Sequence, residues 1–117
     1  MLNSKITGTG SYIPSVIQEN DKFSNHQFLN ADGSKFETAN DVIIEKFKSI
    51  TGIEERRYAA DNLMTSDIAF HAAQKAIEDA NVNPEELDYI ILAHNFGDVR
   101  KPAGQSDILP SLATRVK

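Results

Sequence analysis

Apolar residues between positions 65 and 80 recur three and four apart: Ile68, Ala69, Ala72, Ala73, Ala76, Ile77 and Ala80 share one side of a 3.6-residue period. A helix is predicted there. Thr65 or Ser66 starts it, and Asp67 sits in its first turn against the positive end of the dipole. The stripe is mostly alanine, which lets another element approach closely but removes less apolar area from water than leucines would. Val42, Ile43, Phe47 and Ile50 mark a second helix. Asn40 or Asp41 caps it, because a short side-chain acceptor satisfies amides that lack an intrahelical partner, and Gly52 ends it in left-handed backbone. Leu112, Ala113 and Val116 follow Leu109 at helical spacing, so a third helix is predicted to begin near Pro110, whose ring suits a first turn.

Two stretches read as extended. Residues 87–95 contain Tyr89, Ile90, Ile91, Leu92 and Ala93 without a break, which suits a strand covered on both faces, as in a parallel sheet packed by helices. Residues 5–13 combine β-branched side chains with Gly8 and Gly10, which let a second backbone come close, and Pro14 ends the run. Residues 53–60 form a charged connector with a short strand. Between positions 18 and 40 the chain turns polar, anchored by Phe23, Phe28, Leu29 and Phe36. A short helix is expected near 21–25, and a surface loop at Ala31-Asp32-Gly33-Ser34. Residues 81–84 make a turn and residues 96–105 a loop. The class implied is α/β.

Composition narrows the function. At 117 residues the chain is one domain with no second. It is 40% hydrophobic and 25% charged, as ordinary globular proteins are. Seventeen acidic against 12 basic side chains leave a net charge of −5, a field that opposes polyphosphate, and the cations do not cluster. No nucleic-acid partner is expected. The longest apolar run, residues 90–93, is far below the roughly 20 a membrane span needs, and residues 1–10 lack the apolar middle of a signal peptide. No membrane partner and a cytoplasmic location are the expectations. The absence of cysteine removes disulfides, thiolate metal sites and any Cys nucleophile from the chain. Neither an internal repeat nor a low-complexity tract is present. The third helix stops at Lys117 without a Gly or Pro stop signal, so a chain cut in mid-element is the expected reading.

Each candidate site has a bland competitor that explains it better. Gly8-Thr9-Gly10 after a strand invites a dinucleotide reading, but the third glycine is missing, Ile13 stands in its place, and tight packing suffices. His94 and Asn95, as strand neighbours, point to opposite faces and do not converge on one atom. His94 with Asp98 and Asp107 sketches a metal site whose geometry nothing fixes, and loop solvation is the simpler reading. His71 lies between Asp67 and Lys75 at i, i+4 spacing, so an exposed partner is expected. His26 is uninformative. Glu54, Glu55, Arg56 and Arg57 read as structural ion pairs, with phosphate contact by an arginine the lesser reading. No Ser-His-Asp or Cys-His set and no P-loop can be assembled, so no catalytic residue, metal ligand or cofactor site is expected within the chain.

Five blocks in order carry a resemblance: Lys5-Ile6-Thr7-Gly8-Thr9-Gly10-Ser11-Tyr12-Ile13-Pro14; Thr51-Gly52-Ile53-Glu54-Glu55-Arg56-Arg57; Thr65-Ser66-Asp67-Ile68-Ala69 with Ala72, Ala73 and Ala76; Leu87-Asp88-Tyr89-Ile90-Ile91-Leu92-Ala93; and Pro110-Ser111-Leu112-Ala113. Together they resemble the N-terminal end of 3-oxoacyl-(acyl carrier protein) synthase III, in the thiolase superfamily. The resemblance implies a thiolase-like α/β fold, present here as a partial N-terminal half with a mixed sheet packed by helices. In that sheet residues 5–13 and 87–95 would be adjacent and parallel. It implies condensation of an acyl starter with malonyl-acyl carrier protein through an acylated cysteine supported by a histidine and an asparagine. That cysteine is expected shortly beyond Lys117 and the other two later still, so the isolated chain is expected to be inactive.

The implied partners are acyl carrier protein, acyl-CoA and a second copy in a homodimer, and the missing half would leave apolar surface free to self-associate. Positions matching Asn95 and Leu109 border the acyl pocket in the family, the latter reaching across the dimer interface. The chain departs from the pattern where the adenine of CoA is sandwiched: Lys46 replaces a tryptophan and Ile50 an arginine. Loss of stacking and of a cation points to a different starter, longer, branched or carrier-delivered. A non-catalytic α/β module binding a carrier protein or partner subunit is the competing expectation. A hydroxymethylglutaryl-CoA-synthase-like acyltransferase would share the architecture.

Overall fold

The computed structural model describes residues 3–99, 104–107 and 109–116, and divides the chain into two units, one of residues 14–60 and one of 1–13 with 61–117. In the first, β1 (Val16–Glu19) and β2 (Glu55–Tyr58) pair antiparallel with Val16 opposite Tyr58 and Glu19 opposite Glu55. A 3-10 turn, Asn20–Phe23, follows β1 directly, and α1 spans Asn40–Thr51. Gly52, at φ 69°, ends α1 as expected, donating its amide to the Lys48 carbonyl.

The cap differs from expectation. Ala39 occupies the position before α1 without a side-chain bond, and the Asn40 amide is turned back to donate to the carbonyls of Ser24 and His26 at 2.7 and 2.8 Å. That side chain thus ties residues 24–26 to the start of α1 instead of capping the helix. The buried face is also rotated from the one predicted: Ile43 is buried, whereas Val42 and Ile50 are exposed. Phe47 instead meets Phe23 and Phe28 edge-on, at 5.8 and 5.9 Å between ring centres. Arg56 lies over Phe47 and Phe23 at 5.1 and 5.7 Å, and its guanidinium donates to the Asn20 side chain at 2.6 Å. Buried Asn20 donates in turn to the Ile53 carbonyl at 2.7 Å, so both ends of its amide are satisfied.

In the second unit, α2 (Thr65–Ala80) forms where the periodicity placed it, and Asn81 closes it in left-handed backbone at φ 51°. Residues 5–13 cross its alanine face, but not as a strand. The approach is so close that a Cβ built on Gly8 would lie 2.5 Å from the Ala76 carbonyl, and one on Gly10 would lie 2.5 Å from that of Ala72. The Thr9 amide donates to Asp79 at 2.9 Å, and Tyr12 stacks obliquely on His71 at 5.0 Å. The glycines therefore serve backbone contact with a helix. His71 is held by an aromatic ring, not by Asp67, whose carboxylate accepts the Met64 amide.

Residues 87–95 do not form a strand either. They run without a ladder partner, with Tyr89 86% and Ile91 93% exposed. An apolar run earns β structure only from neighbouring strands, and no other described segment pairs with it. The expected mixed sheet with parallel 5–13 and 87–95 is thus replaced by one antiparallel pair, β1 with β2. A single 3-10 turn, Pro84–Glu86, precedes the run. The last helix, α3 (Leu112–Val116), begins two residues after Pro110 and buries Leu112 and Val116 toward α2.

The accessible surface totals 9697 Å². Two independently packed bodies of these units' sizes would show about 7,600 Å² by the usual mass scaling. Large apolar side chains such as Ile6, Tyr89, Ile91 and Leu109 are exposed, and among the described residues only Ile43, Leu112 and Val116 are buried hydrophobics. No helix among the described residues is long and apolar enough to cross a membrane.

Candidate functional site

The first turn of α2 carries amides with no intrahelical acceptor. Asp67 takes the Met64 amide at 2.8 Å, and Asp98, 32 residues downstream, takes that of Ser66 at 2.9 Å. The second oxygen of Asp98 accepts the Ser66 hydroxyl at 2.7 Å. Asp98 is 1% exposed, the most enclosed of the described side chains, and a carboxylate so buried needs a counter-charge. Arg115 of α3 supplies it, with Nη1 2.9 Å from Asp98 and Nη2 3.1 Å from Asp107.

The same guanidinium reaches the carbonyls of Pro110, through Nε at 3.4 Å, and of Leu109, through Nη2 at 3.5 Å. One arginine thus ties two carboxylates and the backbone ahead of its own helix. The chain also closes on itself here: the Asp107 amide donates to the Asp98 carbonyl at 2.9 Å, and Val99 and Ser106 form an antiparallel bridge. Gly97 permits this closure, since an added Cβ would collide with the Ser106 hydroxyl. Thr65 fastens the neck from α2 by donating to the Gly97 carbonyl at 3.3 Å.

Burial alone would push the Asp98 carboxyl upward. The bonds from the Ser66 amide and hydroxyl, then the Arg115 charge, outweigh it, and the group titrates below the ordinary aspartate range. Asp98 is therefore ionised at neutral pH. The Ser66 hydroxyl donates to a carboxylate oxygen that Arg115 already neutralises, so the arrangement fixes geometry rather than activating a nucleophile.

Asn95 lies three residues before Asp98 and Leu109 two after Asp107, so both candidate pocket residues leave the same neck. Their side chains are exposed, Leu109 at 82%. His94 is exposed too, and the metal sketch involving Asp98 and Asp107 is replaced by Arg115, which sits where a cation would. Among the described residues no group of three potential ligands converges on a metal. His26 packs against Phe28 at 4.8 Å. Of the charged run, Glu54 pairs with Lys48 at 2.6 Å and Glu55 with Arg57 at 2.8 Å, both on the surface. Lys46 and Ile50 are exposed on α1.

The Ser66–Asp98–Arg115 cluster was not apparent from spacing, because its members lie on three separated segments. The available signal was an arginine placed between the apolar positions of a short helix, downstream of two aspartates.

The chain is similar, over nearly its whole length, to proteins named beta-ketoacyl-[acyl-carrier-protein] synthase III. It is 37% identical over 114 residues to beta-ketoacyl-[acyl-carrier-protein] synthase III of Staphylococcus haemolyticus, covering 97% of this chain and 32% of that protein. To the corresponding synthase III 1 of Vibrio vulnificus it is 38% identical over 96% of this chain and 31% of the relative, and to that of Hyphomonas neptunium 39% over 95% and 30%. The chain thus spans about a third of the length of the curated relatives it matches. No protein-family profile matches it. The resemblance carried by the ordered blocks holds along the chain.

Proposed function

We propose that this chain is the N-terminal portion of a beta-ketoacyl-(acyl carrier protein) synthase III with a thiolase-like fold, acting in the cytoplasm in fatty acid or related biosynthesis. The observation that carries the reading is identity of 37–39% along 95–97% of the chain, spread over only 30–32% of each relative. In this reaction a cysteine thiolate displaces the thiol of CoA or carrier from an acyl-thioester starter and takes up the acyl group, malonyl-acyl carrier protein loses CO2, and the resulting carbanion attacks the enzyme thioester. The products are 3-ketoacyl-acyl carrier protein and free thiolate. The chain contains no cysteine, so the covalent step falls to residues outside positions 1–117, and the role of these residues is to shape and position. Asn95 and Leu109 are assigned to the acyl pocket, Leu109 toward a second subunit of a homodimer; its 82% exposure supports a role at such a boundary.

Starter choice follows from α1. Lys46 and Ile50 offer neither a stacking ring nor a guanidinium to an adenine, and the adjacent Phe47 is engaged with Phe23 and Phe28. The starter is accordingly a longer or branched acyl group, on CoA or on a carrier protein. The test is the complete gene product incubated with labelled malonyl-acyl carrier protein and a panel of acyl-CoA and acyl-carrier starters. Ketoacyl product with a starter other than acetyl-CoA is expected, and none from the 117-residue chain. Failure with every starter refutes the enzyme reading, and strict acetyl-CoA use refutes the starter assignment. Sedimentation velocity of the complete protein checks the dimer.

A further inference from the structure

We propose that Arg115 is a positioning residue that sets acyl-starter selectivity by locking the neck from which Asn95 and Leu109 emerge. The inference rests on the synthase reading above. Its foundation is geometric. The arginine spans Asp98 and Asp107, one on each side of the neck, and also binds the Leu109 carbonyl itself. A planar guanidinium can hold two carboxylates and two carbonyls in fixed relative positions, whereas an ammonium acts as a point charge. The backbone of Leu109 is therefore held while its side chain is left free to meet a ligand.

Asp98 sits behind this contact as a buried anchor, bound twice to Ser66 at the start of a 16-residue helix. The base of the clamp thus moves only if α2 moves. Asp107 is the outer leg, its side chain 34% exposed, so it can be altered with less cost to folding than Asp98. If Leu109 and Asn95 border the acyl group, the freedom of the neck decides how sharply the pocket distinguishes chain lengths. A looser neck tolerates poorer fits and holds the good fit less well.

The experiment uses the complete gene product and compares wild type with Asp107→Asn, Arg115→Lys and Arg115→Ala over a series of acyl starters of rising length. Expected is a roughly tenfold fall in kcat/KM for the preferred starter in Arg115→Ala, with a smaller loss in Asp107→Asn. The ratio between preferred and neighbouring starters should narrow in both, and the rise should lie in starter KM with the malonyl half-reaction unchanged. Arg115→Lys should restore the charge but not the selectivity. Where Arg115→Ala does not fold, Asp107→Asn decides. A selectivity ratio equal to wild type in Asp107→Asn, or full recovery by lysine, overturns the positioning role while leaving the synthase reading intact. A wild-type protein inactive with all starters overturns both.

Discussion

Replacing Asp98 by alanine removes the buried anion that links α2, the neck and α3. Three bonds disappear: two from Ser66 and one from Arg115. The Arg115 side chain, 17% exposed, keeps its charge with only Asp107 as a carboxylate partner. Removing one member of a buried pair costs about 3–5 kcal/mol, because the remaining charge stays desolvated. At about 4 °C per kcal/mol for a protein of this length, the melting temperature should fall by roughly 12–20 °C. Asp98→Asn keeps the shape and one acceptor, so its cost is closer to that of a charge-assisted hydrogen bond, about 1.5–3 kcal/mol.

Wild type and the variants differ in their response to pH. The folded-state pKa of Asp98 lies below its unfolded value, near 3.9. Its ionic contribution is therefore complete well above pH 4 and is lost as pH falls through the lower, folded value. Circular dichroism melts from pH 7 down to pH 2.5 should show the gap between wild type and Asp98→Asn shrinking only at the acid end. A gap that is already absent at pH 7, or that stays constant to pH 2.5, would refute the assignment of Asp98 as an ionised, Arg115-paired anchor.

The remaining predictions concern the two units separately. Gly10→Ala forces a Cβ to within 2.5 Å of the Ala72 carbonyl and should cost about 1–3 kcal/mol by overpacking. Gly33→Ala, in open space at φ 82°, should lose only the left-handed penalty of about 1–2 kcal/mol. Urea titration distinguishes them, since Gly10→Ala should also detach residues 5–13 and unmask Tyr12 to fluorescence quenching. Asn20→Ala strands the Ile53 carbonyl and an Arg56 donor and should cost about 1–3 kcal/mol. Faster amide exchange confined to residues 14–60 is the expected readout, and uniform exchange across both units would count against it.

Legibility from sequence followed the range of the interactions. α1 and α2 were readable because their signals lie within a few residues: the alanine stripe of α2, and Gly52 past the end of α1. The short elements at Asn20–Phe23 and Glu55–Tyr58 were also read, from local charge and polarity. Residues 5–13 and 87–95 were read as strands because β-branched and apolar runs report how well a chain fits a pleated surface, not whether a pairing partner lies alongside. β1 went unnoticed for the converse reason. Val-Ile-Gln-Glu is a weak pattern, and its partner β2 begins 36 residues after Glu19. In the site, Asn95 and Leu109 were placed by resemblance alone. The role of Arg115 is hidden because its two carboxylates lie 17 and 8 residues upstream, and an arginine set between apolar helix positions does not by itself say which aspartates it meets.

One consequence of Asp98 reaching back to Ser66 concerns the order in which the protein is made. The first turn of α2 leaves the ribosome well before the carboxylate that completes it, and the arginine that balances that carboxylate comes later still. Until position 98 has been synthesised, the start of this helix has only Asp67 to close it, and until position 115 the Asp98 carboxylate has no arginine to balance it. The nascent helix should fray at that end, and the unit should settle as a whole only after α3 emerges.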